Sequence, residues 1–181
     1  HTIGRRQRQM CIRDSRLPQE TLLVDAPMSG APHSARNGSL TFMLGGPSSL
    51  LENWHSLFAS MGSQIHHLGE LGAGMSVKVL NNYVASSSVV TVRRVLDACQ
   101  ALNVSPEKLL QIMSESSGGT WYGNQFHEID WAREGYSAEN TIGILEKDVK
   151  SFLKAVEAEP LQEDSLLLER LRRLKPFDPE W

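Results

Sequence analysis

From Met75 to Leu102 the chain carries neither proline nor glycine, and three glycines, Gly69, Gly72 and Gly74, stand immediately before it. A stretch of that length without a breaker predicts one long helix. Val92, Val95, Leu96, Cys99 and Leu102 recur along it at helical spacing, and its Ala, Ser and Val content calls for close packing. The G-x2-G-x-G spacing leaves the mouth of the helix without side chains, so a ligand or another backbone can come close. A helix N-terminus favours an anionic group at such a place. Lys78, Asn81 and Asn82 follow one turn in, at spacings that share a face. The spacing alone leaves two readings: a hinge into an ordinary helix with a solvated lysine, or a site where an amine and two amides converge.

The 181 residues suffice for one domain, or for a small domain and part of another. Apolar residues make up 40% and charged residues 22%, the balance of a soluble globular protein. No apolar run approaches the ~18 residues of a membrane span, so no membrane partner is expected. Cys11 and Cys99 are far apart, with no C-x-x-C, which argues against a disulfide framework or a zinc site. A reducing, cytoplasmic compartment fits that usage, or a mitochondrial one in a eukaryote. The six histidines show no H-x3-H spacing, and His66 and His67 would point to opposite faces of a strand, so no metal is expected. The net charge of −3 conceals an asymmetry: Arg5, Arg6, Arg8 and Arg13 lie in the first 15 residues, and residues 16–181 carry 14 basic and 20 acidic side chains. That body has no clustered basic face for nucleic acid.

His1 to Ser15 has no amphipathic period and no apolar core of a signal peptide. It resembles a translated sequencing adapter more than a natural segment, and disorder is expected there. Leu22–Ala26 predicts a strand buried on both faces, closed by Pro27 and followed by a turn-rich loop, Met28–His33. Leu40–Leu44 predicts a second strand ended by Gly45-Gly46, Pro47 to about Ser60 a helix, and Ile65–Leu68 a third strand. Strand, helix, strand at this spacing is the last part of an α/β sheet. Ser105 and Pro106 open a helix running to about Glu115. A loop, Ser116–Trp121, follows, then helices over Ser137–Glu159 and Leu161–Leu174 and an irregular tail from Pro176. The fold class is therefore mainly α with a partial α/β sheet. Residues 16–70 are expected to hold that sheet and residues 71–181 to be all-helical.

Three segments in order resemble the β-hydroxyacid dehydrogenases, which include 3-hydroxyisobutyrate dehydrogenase and tartronate semialdehyde reductase. Gly69–Asn82 is similar to that family's G-x2-G-x-G-x3-K pattern with paired asparagines. Asp25-Ala-Pro-Met-Ser-Gly-Ala31, with Gly38 beyond, is similar to its DAPVSGG motif. Lys147-Asp148 is similar to its late lysine–aspartate pair. The resemblance covers roughly residues 20 to 155. The family's upstream G-x-G-x-x-G fingerprint is absent, so the resemblance implies an N-terminally truncated member, with residues 16–70 the remnant of a Rossmann-type NAD(P)-binding domain and residues 71–181 the all-helical C-terminal domain.

The resemblance implies reversible hydride transfer between NAD or NADP and a small 3-hydroxy acid. It implies Lys78 as acid/base, and that role requires a lysine more acidic than a free one at ~10.4. Asn82, with Asn81 beside it, would hold the substrate, and Ser29, Gly30 and Ala31 would grip its carboxylate. Ala31-Pro32 stands where the family has a second glycine, a change that disturbs a loop needing positive φ. Trp121 either borders the active site or anchors its loop. Gly72, Gly74 and Lys147 would serve the cofactor, although periodicity alone makes Lys147 a solvated lysine opposite the Leu145, Val149, Phe152, Leu153 and Val156 stripe. Two functions follow: a fragment of a dehydrogenase, inactive by itself, or a non-catalytic helical domain that self-associates. Apolar faces left uncovered imply a homo-oligomer.

Overall fold

The computed structural model describes residues 21–30, 32–157 and 159–177. The expected disorder of residues 1–15 and the role expected of Ala31 fall outside them. The chain divides into two compact units, His1–Lys78 and Val79–Trp181.

In the first unit the elements run β1 (Met28–Ser29), α1 (Pro32–Arg36), β2 (Leu40–Leu44), α2 (Ser48–Asn53), α3 (His55–Ala59) and β3 (Gly62–His67). Strand β2 is central: β1 pairs with it antiparallel (Met28 opposite Phe42, Ser29 opposite Thr41) and β3 parallel (Phe42 opposite Ile65). A parallel pair needs a crossover, which α2 and α3 supply. Leu40, Phe42, Leu44, Leu51 and Phe58 form the core of this unit, with the Phe42 and Phe58 rings 5.1 Å apart.

Three expectations need correction here. Leu22–Ala26 is not a strand: Asp25 makes an isolated antiparallel bridge to Gly45, and regular pairing starts at Met28. Pro27 lacks the N–H that a continuous ladder needs, although its carbonyl accepts from Met43 N–H at 2.9 Å. The run is not buried on both faces either, since Leu22 is 63% exposed. The helix expected from Pro47 to Ser60 breaks at Trp54 into α2 and α3, and neither proline nor glycine accounts for the break. Strand β3 starts earlier than Ile65, at Gly62, where a Cβ would collide with the Leu40 carbonyl and the Phe42 ring.

Helix α4 (Ala73–Leu102) is the expected long helix, 30 residues and on the order of 45 Å. The second unit adds α5 (Pro106–Ser114), α6 (Trp121–Asn124), α7 (Thr141–Val156) and α8 (Gln162–Arg172). Val89, Val92, Leu96 and Cys99 form the buried stripe of α4. Val95 and Leu102 lie off that stripe and are exposed, because the 89-92-96-99 register leaves each of them about 100° round the helix. Ile142, Leu145 and Val149 of α7, Leu167 and Leu171 of α8, and Tyr122, Phe126 and Ile129 complete one core.

Capping sets the helix ends. Ser105 Oγ accepts from Lys108 N–H, with Pro106 in the first turn, as expected. Helix α7 starts at Thr141 rather than Ser137 because Asn140 Oδ1 accepts from Gly143 N–H at 3.2 Å. Arg93, 2% exposed on α4, donates to the carbonyls of Ala132, Glu134 and Lys175, and its guanidinium lies 5.1 Å from the Phe177 ring centroid. The Ala132–Glu134 stretch and the end of the chain at Lys175 and Phe177 are thereby both tied to α4.

Candidate active site

The first group of site residues gathers where α4 begins. Asp25, fixed by its bridge to Gly45, aims its carboxylate at the helix start. Its Oδ1 accepts from Gly72 N–H and its Oδ2 from Met75 N–H, each at 2.6 Å. N–H groups at a helix start have no intrahelical partner, so the carboxylate satisfies two of them and also meets the positive end of the dipole. Gly72 has φ +96°, a conformation that suits glycine. Gly74 is buried, and a Cβ there would collide with the Met43 carbonyl and crowd Asp25 Oδ2. Gly72 thus meets the chain's own Asp25 carboxylate, and Gly74 packs against that carboxylate and the backbone of β2 at the first turn of α4.

Lys78 follows in the second turn of α4, half-buried. Ser29 sits in β1, half-buried, opposite Thr41. Gly30 has φ +139°, and a Cβ there would come within 2.9 Å of Leu40 Cδ2 and Ser34 Cβ. Both the backbone conformation and the space call for glycine at that position. The residue after it, Ala31, is the one outside the described set.

The second group lies on α4 and α7 in the second unit. Asn82 Nδ2 donates to Asp148 Oδ2 at 2.8 Å, a bond between residues 66 apart in sequence. One turn on, Ser86 is fully buried and its hydroxyl donates to the Asn82 carbonyl at 2.8 Å, with the Leu145 carbonyl at 3.4 Å. The Tyr83 and Phe152 rings, 4.2 Å between centroids, close the same contact. The small side chain of Ser86 leaves room for that turn of α7 beside α4. Asn81 is exposed, and its Nδ2 is 3.5 Å from Asn82 Oδ1. Tyr83 also donates to Asp164 Oδ1 at 2.5 Å, and that bond leads burial in pushing its hydroxyl up to about 12.

Trp121 opens α6 and is 52% exposed, so it is not the buried anchor of its loop. The anchor is its neighbour Tyr122, 1% exposed, whose hydroxyl donates to the Ala132 carbonyl. Burial pushes that hydroxyl up to about 12. Lys147 lies on the exposed side of α7, as periodicity predicts. Among the described residues no three His, Cys, Asp or Glu side chains gather as metal ligands, and no helix is long and apolar enough to cross a membrane.

Asp25 and Asp148 are the residues of the candidate site that sequence reasoning left without a role. Both belong to the quoted motifs. Asp25 could have been found by asking which group satisfies the N–H donors of a glycine-opened helix. Nothing in the sequence signals the partner of Asp148.

Residues 72–163, just over half of the chain, match the profile described as NAD-binding of NADP-dependent 3-hydroxyisobutyrate dehydrogenase. Residues 9–69 match the NAD binding domain of 6-phosphogluconate dehydrogenase. Among curated relatives, 3-hydroxyisobutyrate dehydrogenase of Pseudomonas aeruginosa is 30% identical over 144 residues, covering 75% of this chain and 48% of the relative. The mitochondrial 3-hydroxyisobutyrate dehydrogenase of Rattus norvegicus is 29% identical over 119 residues, covering 66% and 36%. A solved 3-hydroxyisobutyrate dehydrogenase from Mycobacterium tuberculosis with L-serine has the same fold, with a TM-score of 0.64 at 21% identity over 84% of this chain and 57% of that one. The chain thus spans a third to a half of the length of these curated relatives.

Proposed function

The chain belongs to the β-hydroxyacid dehydrogenase family, and from that premise we propose that it carries the substrate-side machinery of an oxidoreductase acting on a small 3-hydroxy acid, 3-hydroxyisobutyrate or a close analogue. The cofactor of the family is NAD or NADP. The observation that carries the reading is the start of α4: a glycine-opened helix, seated by Asp25, with Lys78 in its second turn.

When bound, the nicotinamide would supply the hydride acceptor or donor, and the chain's residues would manage the proton and the charge. Lys78 takes the hydroxyl proton of the substrate on oxidation and returns it on reduction. Asn82, supported by Asn81, holds the reacting group in line. Ser29, with the backbone N–H groups around Gly30 and Ala31, receives the carboxylate. Trp121, exposed, forms part of the substrate wall. Lys147 fits an anionic cofactor, because its ammonium leaves from an exposed face of α7. The start of α4 does not fit a cofactor phosphate, because a phosphate there would meet the Asp25 carboxylate. A cytoplasmic or mitochondrial-matrix setting accords with this chemistry.

A second reading, self-association without turnover, is favoured by the exposed Leu80, Val84 and Val95 on α4. One comparison separates the two. By itself the chain should bind nicotinamide cofactor weakly and reduce none of it. Fused behind the residues that precede the matched segment in the Pseudomonas aeruginosa relative, it should reduce NAD(P)⁺ in the presence of 3-hydroxyisobutyrate. A folded fusion that binds cofactor and ignores every small 3-hydroxy acid would favour the second reading.

A further inference from the structure

An asparagine amide that can flip offers its donor and its acceptor in either sense, and so holds a substrate in neither. Asn82 does not have that freedom. The group opposite it is Asp148, whose ionised carboxylate accepts hydrogen bonds and donates none. The amide can therefore face it only with Nδ2, as it does at 2.8 Å, and Oδ1 is turned away from Asp148, to the side where Asn81 Nδ2 lies 3.5 Å off. The backbone beneath is fixed too. The buried Ser86 hydroxyl donates to the Asn82 carbonyl and lies 3.4 Å from the Leu145 carbonyl, which sets the turn of α4 bearing Asn82 beside the turn of α7 preceding Asp148.

From this geometry we propose that Asp148 is a positioning residue. Its negative charge sets the sense of the Asn82 amide, so that one N–H and the Oδ1 of that side chain point in fixed directions before substrate arrives. This rests on the reading of Asn82 as a substrate-holding group. The advantage is pre-organisation, since an amide already held in one orientation need not be ordered on binding.

The isosteric change Asp148→Asn separates charge-set orientation from simple packing. An asparagine at 148 keeps the volume but presents both a donor and an acceptor, so Asn82 can pair with it in either sense. The test uses the ¹⁵N-labelled 181-residue chain, with the Asn82 side-chain NH₂ pair assigned by its loss in Asn82→Ala. In the wild type the pair should be displaced from the exposed-asparagine position that Asn81 occupies, with one proton downfield. In Asp148→Asn it should move toward the Asn81 position or split, while backbone amides outside the Asn82 and Asp148 turns stay in place. Titration with 3-hydroxyisobutyrate, read on backbone amides near Asn82, should show about tenfold weaker binding in the variant, the loss of one well-placed hydrogen bond. An unchanged Asn82 pair in Asp148→Asn overturns the proposal, and so does unchanged affinity in the variant where the wild type binds the hydroxy acid. A wild-type Asn82 pair already at the exposed position overturns it without any variant. A wild-type chain whose Asn82 pair responds to Asp148→Asn but which ignores the hydroxy acid supports the orienting role and counts against the substrate reading instead.

Discussion

Asp25 accepts the backbone N–H of Gly72 at 2.6 Å, joining residues 47 apart in sequence and fixing where the long helix begins. The second oxygen of the same carboxylate takes Met75 N–H. Asp25→Ala leaves both donors without their acceptor and removes a negative charge from the positive end of the helix. The first unit should lose about 2 kcal/mol, the scale of a lost helix cap with a charged acceptor. Asp25→Asn, with one carbonyl oxygen left, should lose roughly half of that. Chemical denaturation measures the loss. Amide exchange at Gly72 and Met75 should accelerate in the alanine variant, while Val89 and Val92 keep their protection.

Lys78 carries the proposed proton transfer. In a fused, active enzyme Lys78→Ala should lower kcat by about 10²–10⁴-fold, the usual worth of a positioned acid/base, with cofactor affinity unchanged. Lys78→Arg keeps the charge and cannot give up the proton near neutrality, so it should be nearly as slow. Steady-state kinetics with 3-hydroxyisobutyrate and a separate cofactor titration decide the matter. Near-normal turnover in the alanine variant would remove Lys78 from the chemistry.

Much of the helical part was legible because its signals are local. The unbroken run to Leu102 and the Ser105-Pro106 start announce helices without reference to any other part of the chain. Leu40–Leu44 announced itself as a strand in the same way. What escaped was set by distant partners. Asp25 was readable as a motif residue, but its bonds to Gly72 and Met75 exist only once the chain has folded back by some fifty residues. The same holds for Asp148 and Asn82. Trp121 and Tyr122 are a subtler case: a loop aromatic was expected to anchor or to line, and which neighbour turns inward depends on where Thr120 caps α6.

Gly74 tests whether its role is packing or ligand access. A methyl group there would collide with the Met43 carbonyl in the central strand and crowd Asp25. Backbone cannot move aside as a flexible side-chain end can, so Gly74→Ala should destabilise the first unit by about 1–3 kcal/mol, despite the better helix propensity of alanine. Gly69→Ala meets nothing within 4 Å, but φ is +112° there, so its cost should be conformational and smaller, of order 1 kcal/mol. If the two variants melt alike, close packing at Gly74 is not what selects glycine.

Glu146 gives the second unit a pH dependence whose sign is fixed by its partners. It is buried on α7, bonded by Arg172 at 2.8 Å and also by Lys150 and Tyr136. Those bonds, Arg172 first, then Lys150 and Tyr136, outweigh burial and hold its carboxyl at about 2, below the ordinary 4.5. A carboxylate whose pKa is depressed by folding stabilises the native state when ionised. Its contribution is therefore complete above about 4.5 and is lost as the pH falls from there toward about 2. Glu146→Gln cannot ionise, so it should be less stable than the wild type at neutral pH, and the gap should narrow through that window. Denaturation midpoints of both proteins at several pH values between 7 and 2.5 measure it. A constant difference across the range would mean that the network contributes through shape alone, with no role for the charge on Glu146.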